Sequence, residues 1–187
     1  EQRPPFDAGL RQRSLPLFTN GLATIITDEL HALEEGIQVV GQLQLLDYGN
    51  PLYMERGMET SRRILQDVTQ VNAAGHRHFR SRYYGGTRIV TEDPWQWSVN
   101  RSYLVLHSSY LTAWYNGNPD LRKMVTGLAD GLLAHRANGK IITEINFSTD
   151  EARDNSGAMG AGIPWSLFSA ASHLSGEQKY MEPIAAA

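Results

Sequence analysis

Apolar residues recur at helical spacing along most of the chain. Leu22, Ile25, Ile26, Leu30 and Leu33 form a first series, and Ile37, Val40, Leu43 and Leu46 continue it. Met54, Met58, Leu65 and Val68 mark another helix, and residues 99–115 run with few breakers. Leu121, Met124, Val125, Leu128 and Leu132 make a clean amphipathic stripe. Residues 163–174 read as one more buried helix, and a last begins near Lys179. Residues 1–18 hold three prolines and no period, so they read as an extended arm or linker.

The punctuation between helices repeats. Tyr48-Gly49-Asn50-Pro51 joins one pair of helices and Asn116-Gly117-Asn118-Pro119 another. Gly suits a left-handed C-cap, Asn an N-cap and Pro the first helical position. Ser175-Gly176-Glu177 is a weaker third copy. Two stretches, 72–97 and 138–162, are too polar and too rich in Gly and aromatic residues to continue the helices, and long loops of this kind usually shape a site. The pattern predicts an all-α domain over 19–187, built of helical hairpins with two long functional loops.

Composition narrows the function. The chain has 187 residues, 41% of them apolar and 20% charged, which is ordinary for a globular domain. No apolar run suggests a membrane span. Cysteine is absent, so disulfides, thiolate metal sites and a Cys nucleophile are excluded. The net charge of −3 is uneven: residues 1–75 carry 6 basic and 10 acidic groups, residues 76–101 carry 5 and 2, and residues 102–187 carry 6 and 8. The basic island at 76–101 is too small for nucleic acid and suits a small acidic group on a ligand. The chain opens at Glu1 without a Met, which fits processing or excision from a longer precursor. Two sequons, Asn100-Arg101-Ser102 and Asn146-Phe147-Ser148, matter only in a secreted chain.

The densest chemistry lies between Asn72 and Gly86, where His76, Arg77, His78, Arg80, Arg82, Tyr83 and Tyr84 crowd together. His exchanges a proton near neutral pH, Arg grips a carboxylate, and Tyr donates or accepts a proton beside cations. β-Elimination from a uronic acid needs those three jobs: a neutralised carboxylate, a base for the C5 proton and an acid for the departing O4. The bland alternative is a polar loop whose Arg residues pair with acids. His76 and His78 also form an H-x-H pair that His107 can complete as a three-His metal site. No carboxylate stands at a recognised spacing, and the neighbouring Arg charge argues against a cation, so no metal is assigned. Trp95 and Trp97 can stack on sugar faces, Tyr103, His107, Tyr110 and Trp114 share one helix face, and Glu92, Asp93, Glu144 and Asp154 are candidate carboxylates. In loop 143–156, Glu144, Asn146, Arg153 and Asp154 can face a ligand, although such composition is what solvated loops generally show. Gly157, Gly160 and Gly162 are no dinucleotide fingerprint.

The run Tyr48 to Thr60, the block Asn72 to Tyr84 and the Glu92-Asp93-Pro94-Trp95 segment resemble the α/α-toroid region of exo-acting rhamnogalacturonan lyases, polysaccharide lyase family 26. The resemblance spans about residues 20–183. It implies that the helical hairpins form an incomplete (α/α) toroid, and that the protein is a secreted or periplasmic lyase that cleaves an acidic glycan, rhamnogalacturonan first among them, by β-elimination. His76, His78, Tyr83 and Tyr84 would share the acid and base roles, and Arg77 or Arg80 would hold the carboxylate. Asn72, Arg82, Trp95, Trp97, Tyr103 and His107 would line the substrate. The partner expected is an acidic polysaccharide or oligosaccharide, with no nucleic acid and no membrane. No cofactor is predicted, though a bridging cation such as calcium is compatible with this chemistry. Family members carry β-rich domains that are not evident here, so the chain reads as part of a larger enzyme. The runner-up is a toroid glycoside hydrolase with paired carboxylates; a third reading is a non-catalytic scaffold that binds acidic glycans.

Overall fold

The computed structural model describes residues 18–23, 26–28, 38–154 and 163–185. The N-terminal arm, most of the first predicted helix, and Gly157, Gly160 and Gly162 lie outside the described residues.

The hairpin punctuation folds as its residue types dictate. Helix α1 (Gln38–Leu46) leads through Gly49, at φ +84°, into α2 (Pro51–Arg63). The Asn50 side chain accepts the Leu52 N–H at 3.0 Å, and Pro51 takes the first turn, where its missing N–H costs nothing. The arrangement repeats at α3 (His107–Asn116), Gly117 at φ +66°, and α4 (Pro119–Ala134). There Asn118 accepts from both Asp120 and Leu121. Helix α3 packs against α1, α2 and α4, and α4 packs against α5 (Ile163–Ser175). Gln44 pins the first three helices: it is buried against Gly57 of α2 and donates to Thr112 of α3 at 3.3 Å.

The expectation of an all-α domain forming an incomplete (α/α) toroid is corrected: the described residues mix helices with short antiparallel strands. Four two-stranded antiparallel ladders stand among the described helices: β1 (Phe18–Thr19) with β2 (Leu22–Ala23), β3 (Thr27–Asp28) with β6 (Tyr83–Tyr84), β4 (Thr69–Val71) with β5 (Arg77–Phe79), and β7 (Glu144–Ile145) with β8 (Ala152–Arg153). The reason is local. Thr, Val, Ile, Phe and Tyr favour extended backbone, and each ladder lies where a helix would have to break. Leu22, expected to start a helix, sits fully buried in β2. Parts of both segments expected as long loops thus form strands: Arg77–Phe79 and Tyr83–Tyr84 in the first, Glu144–Ile145 and Ala152–Arg153 in the second. The helix expected over 99–115 is also split, with a 3-10 segment (Asn100–Leu106) running into α3.

The core gathers Ile64, Val68, Phe79, Tyr103, Leu106, Met124, Leu128, Leu132, Ile145 and Phe168, all fully buried. The amphipathic stripe of α4 supplies its centre, as its spacing predicts. Strand β5 lies across α4 because the helix presents Gly127 and Gly131 there. A Cβ on Gly131 would stand 2.6 Å from the Arg77 carbonyl oxygen and 2.8 Å from the His78 ring. No helix among the described residues is long and apolar enough to cross a membrane.

Candidate metal centre

Three segments remote in sequence bring His76, His78, His135 and Asp150 together. One ligand atom from each lies within 4.8 Å of all the others.

The β4–β5 hairpin carries the first two. Its turn is built by Asn72, whose side-chain oxygen accepts the N–H groups of Ala74 and His76 at 3.0 Å each. Gly75, at φ +88°, completes the reversal. His76 and His78 are two residues apart on extended backbone, so they share a face.

Helix α4 supplies His135 at its C-cap. The His135 N–H bonds to Leu132 rather than one residue further back, which leaves the Gly131 carbonyl without its usual helical donor. His135 Nδ1 lies 2.7 Å from that oxygen and donates to it. Nδ1 thereby carries a proton, and Nε2, the atom facing the cluster, lies 3.1 Å from the Asp150 carbonyl oxygen and 3.2 Å from its carboxylate.

Asp150 comes from the loop of the β7–β8 hairpin. Asn146 orders that loop by accepting from Ser148 and Thr149, while its carbonyl accepts the Asp150 N–H at 2.9 Å. Asp150 itself adopts φ +61°, a conformation Asp tolerates better than most residues. The hairpin is anchored below by Ser98, whose hydroxyl donates to the Thr143 carbonyl and whose backbone N–H donates to the Ile145 carbonyl, each at 2.8 Å.

The spacing suits an ion. Asp150 Oδ2 lies 2.8 Å from His76 Nδ1 and 3.2 Å from His135 Nε2, and Oδ1 lies 3.5 Å from His78 Nε2. Ligands about 2.0–2.1 Å from a tetrahedral zinc-class ion stand about 3.3 Å from one another. His78 has no exposed surface, and both its ring nitrogens lack a hydrogen-bond partner. Burial, and then the neighbouring imidazoles of His135 and His76, push its pKa down to about 4 against the pull of Asp150. It is therefore neutral at neutral pH, with a lone pair to offer. Burial raises the Asp150 carboxyl, but hydrogen bonds from Asn72 and His76 and the nearby imidazoles outweigh this and hold it below the usual carboxylate range.

Sequence reading found one half of this cluster. His107, weighed as a third ligand and expected to line the substrate, instead sits at the start of α3 against Gly41 and Tyr110. His135 and Asp150 gave no signal by spacing, because Asp150 is 74 residues from His76 and 15 from His135. The expected repulsion by arginine is absent because the three Arg side chains are engaged elsewhere. Arg77 runs along Gly127 and donates to the Thr69 carbonyl and hydroxyl. Arg80 donates to the Asp67 carbonyl, and Arg82 lies over the Trp95 ring.

Apart from Asn72, the other predicted site residues do not converge on the histidines. Strand alternation turns Arg77 away from His76 and His78. Tyr84 is buried in the β3–β6 ladder, while Tyr83 stacks on Trp95 at 4.7 Å. Trp97 is buried beneath Arg153, 3.6 Å from its ring centroid. Tyr103 is a core residue packed on Phe79, and Trp114, from the same predicted helix face, is 52% exposed beside Tyr48. Asn72 touches Asp150. Of the carboxylates weighed for hydrolysis, Glu92 pairs with Arg88 and Asp154 with Lys140. Asn146 is buried with its side chain engaged, so its sequon is closed in the folded chain.

Fold and site together define an α+β domain of helical hairpins with a three-histidine, one-carboxylate cluster. No family model matches the chain, and no curated protein or solved structure matches it.

Proposed function

We propose that this protein is a metalloprotein whose centre takes a divalent transition ion of the zinc class at His76, His78, His135 and Asp150. The observation that carries the reading is His78: a fully buried imidazole with no hydrogen-bond partner at either nitrogen, whose Nε2 stands 3.5 Å from Asp150 Oδ1 among the other ligand atoms. A buried polar group left unpaired costs about 1–3 kcal/mol, and an ion at Nε2 removes part of that cost. Three imidazoles and one carboxylate suit zinc, copper, iron or nickel. Calcium prefers six to eight oxygens, and this cluster offers one carboxylate.

Four protein ligands fill a tetrahedral shell, which is the chemistry of a structural centre. The ion fastens the β4–β5 hairpin, the end of α4 and the 146–151 loop to one another. Zinc at a thousandfold excess over its Kd should stabilise the fold by about 4 kcal/mol, a rise of roughly 8–16 °C in Tm for a chain of this size. Magnesium and calcium should give no shift, and the zinc shift should shrink as pH falls, because protons compete for the imidazoles. A scanning calorimetry series decides it: equal melting with and without zinc would remove the reading.

A second reading, elimination on an acidic glycan, has one observation in its favour. Tyr83 and Trp95 stack at 4.7 Å, both partly exposed, with Arg82 over the Trp95 ring at 5.5 Å. Aromatic faces beside a cation suit a uronate sugar. Product mass spectrometry on rhamnogalacturonan tests it: unsaturated products support elimination, hydrated products point to hydrolysis, and no product rejects catalysis by this chain.

A further inference from the structure

We infer that Asn72 is a positioning residue that sets the ion preference of this centre by holding the Asp150 carboxylate to one ligand oxygen. The inference rests on the metal reading above and goes beyond it.

A carboxylate can offer an ion one oxygen or two. One oxygen with three imidazoles makes a four-coordinate shell, which zinc accepts. Two oxygens raise the coordination number and favour ions with larger, oxygen-richer shells, such as manganese. The choice therefore turns on what holds the second oxygen.

Asn72 holds it. Its Nδ2 donates to Asp150 Oδ1 at 2.5 Å. Oδ2 is left facing His76 Nδ1 at 2.8 Å and His135 Nε2 at 3.2 Å, while the held Oδ1 stands 3.5 Å from His78 Nε2. The Asn72 side chain cannot easily swing away, because its oxygen is committed to the N–H groups of Ala74 and His76. Its backbone is tied as well, by the Asn72 N–H to the His76 carbonyl at 2.8 Å. One residue thus builds the turn that delivers His76 and orients the carboxylate that His76 faces. Partners of this outer kind are commonly worth 10–100-fold in metal affinity.

Two variants separate the clamp from the turn. Asn72→Ser and Asn72→Asp both keep an oxygen that can accept from the turn N–H groups; an ionised Asp has no donor to give Asp150, and the Ser hydroxyl, one bond shorter than the Asn72 amide nitrogen, stops short of it. Zinc and manganese affinities are measured for each by competition titration, with circular dichroism as the control for folding. The cobalt(II)-loaded proteins are compared by visible absorption, which distinguishes four-coordinate from higher-coordinate shells. Both variants should lose zinc-over-manganese preference by about tenfold or more, and the cobalt spectrum should weaken toward that of a five- or six-coordinate ion. An unchanged preference with an unchanged four-coordinate spectrum overturns the inference. Nitrogen NMR of the zinc-loaded wild type gives an answer even if both variants misfold. The Asn72 side-chain amide should be protected from exchange, and a freely exchanging amide would also overturn it. Wild-type protein that takes up no stoichiometric zinc would fail the metal reading instead, before any variant is compared.

Discussion

Replacing Asp150 with alanine should lower zinc affinity by more than about 100-fold, the upper range for losing even an outer partner of a metal ligand. Asp150 is the one anionic member of the cluster and lies within 3.5 Å of all three imidazoles. Removing it takes away a ligand, the charge that offsets the ion, and the group that Asn72 orients. The metal-free fold should also lose about 1–3 kcal/mol, because the hydrogen bonds of Asn72 and His76 to the carboxylate go with it. The neighbour Glu151 is the internal control. Its side chain is 59% exposed, and Glu151→Ala should leave affinity within roughly threefold. A chelator-competition titration measures both, and an Asp150→Ala variant that still binds zinc like the wild type would remove Asp150 from the ligand set.

Gly131→Ala should lower stability by about 3 kcal/mol and weaken the metal centre with it. The added Cβ would lie 2.6 Å from the Arg77 carbonyl oxygen, a backbone atom, and 2.8 Å from His78 Cε1. Neither can yield without moving β5, and β5 carries His78. The same glycine gives its carbonyl to His135 Nδ1, so the disturbance reaches two ligands at once. Gly127, one turn earlier on α4, makes the opposite prediction. A Cβ there meets only the Arg77 side chain, at 3.5 Å or more, which is ordinary contact. Gly127→Ala should therefore stabilise the helix by about 0.5–1 kcal/mol. Urea denaturation of the pair provides the check, and equal effects at the two glycines would mean that β5 does not sit against Gly131 as described.

What the sequence revealed follows from how local each signal is. The Gly-Asn-Pro punctuation worked because cap chemistry is decided within four or five residues, and Asn50 and Asn118 both cap as their types require. The α4 stripe was legible because sixteen residues give several turns of period. The strands were not legible, because elements of two or three residues have no period to read. Residues 22–33 illustrate the cost: their apolar spacing fits a helix, yet the chain makes β2 and β3 there, the latter paired with Tyr83 and Tyr84. For the site, the H-x-H pair was legible, but the sequence reading gives it acid and base roles rather than metal ligation. The other two ligands depend on tertiary placement. His135 is an ordinary helix-end residue in sequence, and Asp150 lies in a polar run with several acids. Arginine near a histidine pair also misled, since adjacency in sequence does not give adjacency of charge when a strand alternates its faces.

The measurement closest to the central claim is X-ray absorption at the zinc edge on the reconstituted full chain, with zinc content determined on the same sample. The metal reading predicts one zinc per chain, a shell of four nitrogen or oxygen ligands at about 2.0–2.1 Å, and the outer-shell scattering that imidazole rings produce. Substoichiometric zinc, or a six-coordinate shell dominated by water without imidazole scattering, would contradict it.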